Sequence, residues 1–237
     1  MIPKKIHYCW FGRGEMPELA QKCIESWHKY MPDYEYKLWN EDNFDVNRIQ
    51  YTKEAYERGL YAFVSDVVRL QALYDEGGLY FDVDFEVYRP FDSLLCYNAF
   101  AGFEGSKTNP VLMGVIASES NGIWVSEQLE NYQHRFFIVD GKPDLTTNVR
   151  FVTDRMIEQG FIPNGKEQDY KDLHVFPVDY FSPRQTTGEY LRTDNTFCEH
   201  RGHNSSWAPK RVKDRVIRLF PSYLRTQLIL VKRKLFG

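Results

Sequence analysis

Few of the features that assign a chain to a class at sight occur in these 237 residues. There are only four cysteines (Cys9, Cys23, Cys96 and Cys198), none of them in a CxxC pair, so neither a zinc ribbon nor a disulfide framework is indicated and a reducing compartment fits best. No apolar run reaches the roughly 18 residues of a membrane-spanning helix. The opening "MIPKKIHYCWFGRG" has two lysines but lacks the apolar stretch of about 7–15 residues that a signal peptide needs. Internal repeats and low-complexity tracts are also missing. These absences lead to the expectation of a cytoplasmic protein. What is present is 43% hydrophobic and 27% charged, with an aromatic share of 16%, the composition of an ordinary folded protein with aromatic-rich walls. The length suffices for a sizeable core without disulfides, and one α/β domain with additions is the starting expectation.

The first ninety residues alternate strand-like and helix-like segments. "KKIHYCWF" reads as a strand that ends at Gly12 and Gly14. "PELAQKCIESWHKYM" places Leu19, Cys23, Ile24 and Trp27 at helical spacing after Pro17, and "DYEYKLW" alternates like a half-buried strand. A helix from about Thr52 to Glu76, with a break near Gly59, is closed by Gly77-Gly78. Val64, Val67, Val68, Leu70, Leu73 and Tyr74 cover nearly its whole circumference, so Asp66 and Arg69, three residues apart on one face, are charges on a buried helix and need a partner or a ligand. Further on, "NAFAGFE" reads as a strand, "NPVLMGVIASES" as a helix starting at Pro110, "TTNVRFVTDRMIEQG" as a helix capped by Thr146 or Thr147, and "LHVFPVDYF" as a strand broken at Pro177.

The segment "LYFDVDFEVY" alternates as one strand, with Leu79, Phe81, Val83, Phe85 and Val87 on one face and Tyr80, Asp82, Asp84, Glu86 and Tyr88 on the other. On that reading Asp82 and Asp84 lie about 7 Å apart along the strand. An isolated DxD on an outer strand face is usually a solvated edge. Here the charged helix before it, the Gly-Gly turn that starts the strand and Arg89-Pro90 that ends it point instead to a ligand site at the C-terminal end of a strand in an α/β sheet. Paired carboxylates suit a hard divalent cation bridging to diphosphate oxygens. The pair alone leaves such a cation under-coordinated, and "TFCEHRGHNSSW" offers His200 and His203 as further ligands if that surface loop folds over the pair.

The blocks "IPKKIHYCWFG", "PDYEYKLWNED", "SDVVRLQALYDEGGLYFDVDFEVYRPFD" and "EHRGHNSSW" together resemble glycosyltransferase family 32, which includes bacterial capsular-polysaccharide sugar transferases and yeast-type mannosyltransferases. They are also similar to the glucosyltransferase domain of large clostridial toxins. The resemblance implies a GT-A fold, a Rossmann-like α/β nucleotide-sugar-binding architecture, with a nucleotide-sugar donor and Mn²⁺ or Mg²⁺ held by the DxD. It implies that Asp66 and Arg69 hold donor-sugar hydroxyls, that Tyr80 helps position the sugar, and that Asp82 contacts ribose, sugar or metal. Asp84 would be the direct metal ligand, with His203 or His200 beside it. Trp10 would stack on the nucleobase, and Ser206 and Trp207 would touch phosphate oxygens from a closing loop. Retention of configuration by front-side attack is implied as well, with Asp82, Asp84 and Arg69 carrying the catalysis and the leaving diphosphate helping to deprotonate the acceptor. An ordinary salt bridge for Asp66 and Arg69, and a core role for Trp10, are the alternatives.

Charge divides the chain. Its net value is −3, yet residues 208–237 carry nine Lys/Arg against the single acid Asp214, a local +8, and leave −11 on the rest. The expected organisation is a catalytic domain over 1–207 and a basic amphipathic helical tail over 208–237. That tail fits packing against the body or attachment to an anionic membrane surface, and nucleic acid is disfavoured because the acidic body would repel it. The reading is a metal-dependent transferase moving a hexose from a nucleotide sugar, a UDP-hexose first and GDP-mannose as the alternative, to a glycan or lipid-linked acceptor in bacterial surface-polysaccharide assembly, peripheral on the inner face of the membrane. A phosphoesterase and a non-catalytic nucleotide- or carbohydrate-binding module are the rivals.

Overall fold

Short strands rich in β-branched and aromatic residues, separated by amphipathic helices, build one mixed sheet. The computed structural model describes residues 1–184 and 188–202. Expectations for His203, Ser206, Trp207 and the tail at 208–237 lie outside the described residues. In chain order the elements are β1 (Lys5–Cys9), α1 (Glu18–Tyr30), β2 (Glu35–Trp39), α2 (Gln50–Glu57), α3 (Tyr61–Glu76), β3 (Gly78–Phe81), β4 (Phe85–Val87), β5 (Ala99–Gly102), β6 (Val115–Ser118), α4 (Ile123–Gln133), β7 (Ile138–Val139), β8 (Lys142–Pro143), α5 (Asn148–Glu158), β9 (Gln168–Tyr170), β10 (Leu173–Phe176), α6 (Val178–Phe181) and β11 (Cys198–His200).

The main sheet has strand order β2-β1-β3-β6-β5-β10-β9. β1 pairs in parallel with β2 and β3, and β5 with β10; β6 runs antiparallel between β3 and β5, and β9 antiparallel on the edge. Both faces are covered, which explains the near-continuous apolar strands. Leu79, Phe81, Phe100, Val115 and Ala117 point to a core with Trp27, Phe85, Phe91 and Phe181. Tyr80, Ala99, Ala101 and Ile116 point to the other, with Val64, Val68, Trp124 and Val175. Each large apolar side chain so buried contributes about 1.5–3 kcal/mol.

The β-α-β opening appears as expected, with Pro17 at the N-cap of α1. The long helix divides at Gly59, whose φ of +67° interrupts it, and Gly77 caps α3 with a φ of +65°. The turn that follows needs glycine, because a Cβ on Gly78 would lie 2.5 Å from Lys5 O. His7, fully buried between these strands, accepts from Trp39 Nε1 through Nδ1 at 3.0 Å and donates through Nε2 to Gly77 O at 2.9 Å. That arrangement requires the neutral imidazole, and burial lowers its pKa accordingly.

Two expectations are corrected. Residues 79–88 are not one strand: β3 stops at Phe81, and the Asp82 carbonyl accepts from Phe85 N at 3.1 Å across a turn. The chain then leaves the main sheet as β4, which pairs antiparallel with β11 while Trp27 Nε1 on α1 donates to Phe85 O at 2.7 Å. Asp82 and Asp84 therefore sit in a turn rather than along a pleated face. The second correction is "NPVLMGVIASES", which contains β6 instead of a helix. Its Val-Ile-Ala-Ser core fills the gap between β3 and β5, buried on both faces.

Candidate active site

The site is assembled at the C-terminal ends of β1, β3 and β5, where open α/β sheets receive ligands. From α3, Arg69 reaches toward the sheet and spends its guanidinium on four oxygen-bearing partners. Nε donates to Ser65 O at 3.3 Å and Nη2 to Asp66 Oδ1 at 2.9 Å. Nη1 donates to Met113 O at 2.5 Å and lies 3.3 Å from Asp82 Oδ1. The Tyr80 ring lies beneath, 4.6 Å from the guanidinium carbon, and Tyr80 donates its hydroxyl to Asp82 Oδ1 at 2.8 Å. Asp66, Arg69, Tyr80 and Asp82 are thus one hydrogen-bonded unit linking helix to turn. Asp66 and Arg69 are 6% and 4% exposed, so both charges lie in low dielectric, and Arg69 has Asp82 as a second counter-charge beside Asp66. Burial pushes the Asp66 carboxyl up to about 7; Arg69 pulls against this and Asp82 adds to it. For Arg69 burial opposes the charge, but Asp82, Tyr80 and Asp66 outweigh it and hold the guanidinium protonated.

The turn presents its two carboxylates differently. Asp82, fixed through its N–H to Gly114 O at 2.8 Å, keeps a side chain 36% exposed, whereas that of Asp84 is 12% exposed. Asp84 O accepts from Arg201 N at 2.8 Å, and Asp84 Oδ2 lies 3.0 Å from His200 Nε2. The imidazole stacks on Phe85 at 4.9 Å. For His200 burial opposes protonation, but the hydrogen bond and charge of Asp84 outweigh it and hold the pKa above the ordinary histidine value. Gly202 borders the same carboxylate so closely that a Cβ there would overlap Asp84 Oδ2. Trp10, one residue past β1, is half-buried and donates Nε1 to Gly14 O at 2.6 Å.

Residues 17–101 match the glycosyltransferase sugar-binding region containing the DXD motif. That stretch holds Asp66, Arg69, Tyr80, Asp82 and Asp84. Inositol phosphoceramide mannosyltransferase 3 of Schizosaccharomyces pombe is 38% identical over 106 residues, 42% of this chain and 29% of that protein. Mannosyl phosphorylinositol ceramide synthase CSH1 of Saccharomyces cerevisiae is 30% identical over 155 residues, 58% of this chain and 38% of that protein. The chain spans about a third of the length of these curated relatives. The solved PaToxG glycosyltransferase superposes with a TM-score of 0.51 at 19% identity, covering 67% of this chain and 70% of that one. The fold is the GT-A fold.

Within the sugar-binding region the donor set suits a cation that completes its shell elsewhere. No group of three or more His, Cys, Asp or Glu among the described residues is arranged as a metal cage. Mg²⁺-type ions, however, are commonly held by one or two carboxylates with the remaining ligands from substrate phosphates and water, and Asp84 with the more exposed Asp82 meets that description. His200 orients Asp84 in this geometry.

Two neighbours of the site escaped the sequence reading. The Met113 carbonyl binds Arg69 from the segment misread as a helix. Cys9, buried in the same core cluster as Tyr80, has its thiol pushed up to about 12 by burial.

Proposed function

We propose that this protein transfers a hexose from a nucleoside diphosphate sugar to a hydroxyl of a glycan or lipid-linked acceptor, with Mn²⁺ or Mg²⁺ as cofactor. The observation that carries the reading is the unit in which Arg69 touches both Asp66 and Asp82. A structural ion pair needs one carboxylate, whereas a transferase needs a sugar-binding carboxylate and a phosphate-side carboxylate at fixed separation. In this reading Asp66 and Arg69 orient vicinal sugar hydroxyls, which a carboxylate and guanidinium fit well. Tyr80 holds Asp82 in register, Trp10 stacks on the base, and Asp84, oriented by His200, holds the cation with Asp82. A divalent cation bound there neutralises charge developing on the departing diphosphate. His203, Ser206 and Trp207 complete the diphosphate side in this proposal.

A UDP-hexose donor rests on the toxin resemblance, while the mannosyltransferase names of the fungal relatives support GDP-mannose. Those names also support an acceptor carrying a phosphorylated lipid. Retention of configuration and a role in bacterial surface polysaccharide rest on the family resemblance. No helix among the described residues is long and apolar enough to cross a membrane, and the +8 segment at 208–237 supports peripheral attachment to an anionic inner face.

Calorimetry with UDP and GDP, with and without Mn²⁺, tests the site. One nucleotide binds at least about tenfold more tightly with the cation, and Asp84→Asn removes the difference. Cation-independent binding, or none, would contradict the assignment. Release of phosphate from p-nitrophenyl phosphate would favour a phosphoesterase.

A further inference from the structure

The strand that brings His200 to Asp84 also carries a cluster of arginines beside it. Register sets Glu199 opposite Glu86 across the β4–β11 ladder, two like charges that repel unless cations share them. Glu199 is fully buried, and both its oxygens are taken. Oε1 accepts from Arg184 Nε at 3.0 Å and Nη2 at 2.9 Å, with Arg201 Nη1 at 3.5 Å. Oε2 accepts from the Tyr88 and Tyr190 hydroxyls at 3.1 and 2.8 Å. Arg201 Nε also reaches Glu86 Oε2 at 3.3 Å, and its backbone N–H holds the Asp84 carbonyl at 2.8 Å, which fixes the cluster to the turn. Those ion pairs account for Arg184 and Arg201 and leave Arg192 over. Arg192 is exposed, with its guanidinium carbon 4.0 Å from the Tyr88 ring and Tyr190 beside it, and it forms no ion pair with a described residue. Glu189 and Asp194, the other acids of this segment, pair with none of the three guanidiniums.

Three guanidiniums thus share two carboxylates, on a body that carries −11 outside residues 208–237. Tyr190, 47% exposed and with the Arg184 guanidinium carbon 4.9 Å from its ring, adds an open aromatic face. Fixed arginine forks fit the oxygens of a phosphate ester, which a lone lysine would meet only as a point charge. We propose that Arg184, Arg192 and Arg201, with Tyr190, bind a phosphate ester on the sugar acceptor and hold that acceptor at the flank of the Asp84 turn. The inference rests on the transferase reading above and assigns the residues that read the acceptor's phosphate. Stacking on Tyr88 and the clamp on Glu199 position the guanidiniums before the ligand arrives, which lowers the ordering cost of binding.

The probe is α-glycerophosphate, titrated calorimetrically into the full chain in the presence of saturating nucleoside diphosphate and Mn²⁺, with glycerol as the uncharged control. Wild type binds the phosphate and not glycerol. Arg192→Gln, which takes no partner from a buried carboxylate, weakens that binding about tenfold or more, while nucleotide affinity stays within about threefold of wild type. Arg192→Lys falls between. No binding by wild type, or binding unchanged in Arg192→Gln, would overturn the proposal and leave the transferase reading in place. Retention on phosphatidic acid vesicles that Arg192→Gln abolishes, without binding of α-glycerophosphate, would make this face a membrane contact and overturn the acceptor site. A protein that binds α-glycerophosphate but neither binds a nucleotide nor turns over a donor would overturn the transferase reading, and the acceptor role with it, while the phosphate site stands.

Discussion

Asp66→Asn should make the protein more stable and less active. Asp66 is 6% exposed, and burial raises its carboxyl from 3.8 to about 7. The folded state therefore holds that proton more tightly than the unfolded chain. Between about pH 4 and pH 7 the native state binds the extra proton, so this group's contribution falls as pH rises, and above pH 7 the loss is complete. At about 1.4 kcal/mol per pH unit of the gap, and allowing for Arg69 being shared between two carboxylates, ionised Asp66 costs roughly 2–4 kcal/mol at pH 8. Asparagine keeps an oxygen for Arg69 Nη2 and removes the charge. At roughly 2–4 °C per kcal/mol for a chain of this size, Tm at pH 8 rises by about 5–15 °C, and the gain shrinks toward pH 4. Donor turnover falls about tenfold or more, because a charged acceptor for sugar hydroxyls is gone. The assay is thermal unfolding by circular dichroism at pH 4.5, 6 and 8, beside nucleotide release. A Tm at pH 8 several degrees below wild type would show that Arg69's attraction outweighs burial, and would refute the reasoning.

Two further outcomes follow from packing. Because the folded-state pKa of His7 is depressed, the stability it contributes is full above about pH 6.5 and is lost as pH falls below that value; in urea unfolding, the difference between wild type and His7→Gln should narrow from pH 7.5 to pH 5.5, and a constant difference would contradict a neutral His7. Gly202→Ala places a methyl group against Asp84 Oδ2 and should lower nucleotide release about tenfold or more while moving Tm by less than about 3 °C. Normal activity in that variant would mean that Asp84 is free to shift.

The opening β-α-β unit was legible because its apolar positions repeat at helical and strand periods that the packing keeps. Asp66 and Arg69 were legible as charges on a helix otherwise apolar around its circumference. The DxD was found for its residue types but misplaced, since the alternation from Leu79 to Tyr88 continues across a turn. What breaks the strand there is tertiary, namely β11 pairing with β4 and Trp27 claiming the Phe85 carbonyl. β6 was misread because a short apolar run after proline has no decisive period, and its neighbours β3 and β5 decide it.

Turnover on a panel of UDP- and GDP-sugars with Mn²⁺, scored as free nucleoside diphosphate with Asp84→Asn alongside, tests the central claim most directly. The account predicts slow release from one donor, abolished by EDTA and reduced at least about 100-fold by the substitution. Release that survives both would remove the Asp82–Asp84 turn from the chemistry, and no release from any donor by wild type would contradict the transferase assignment itself.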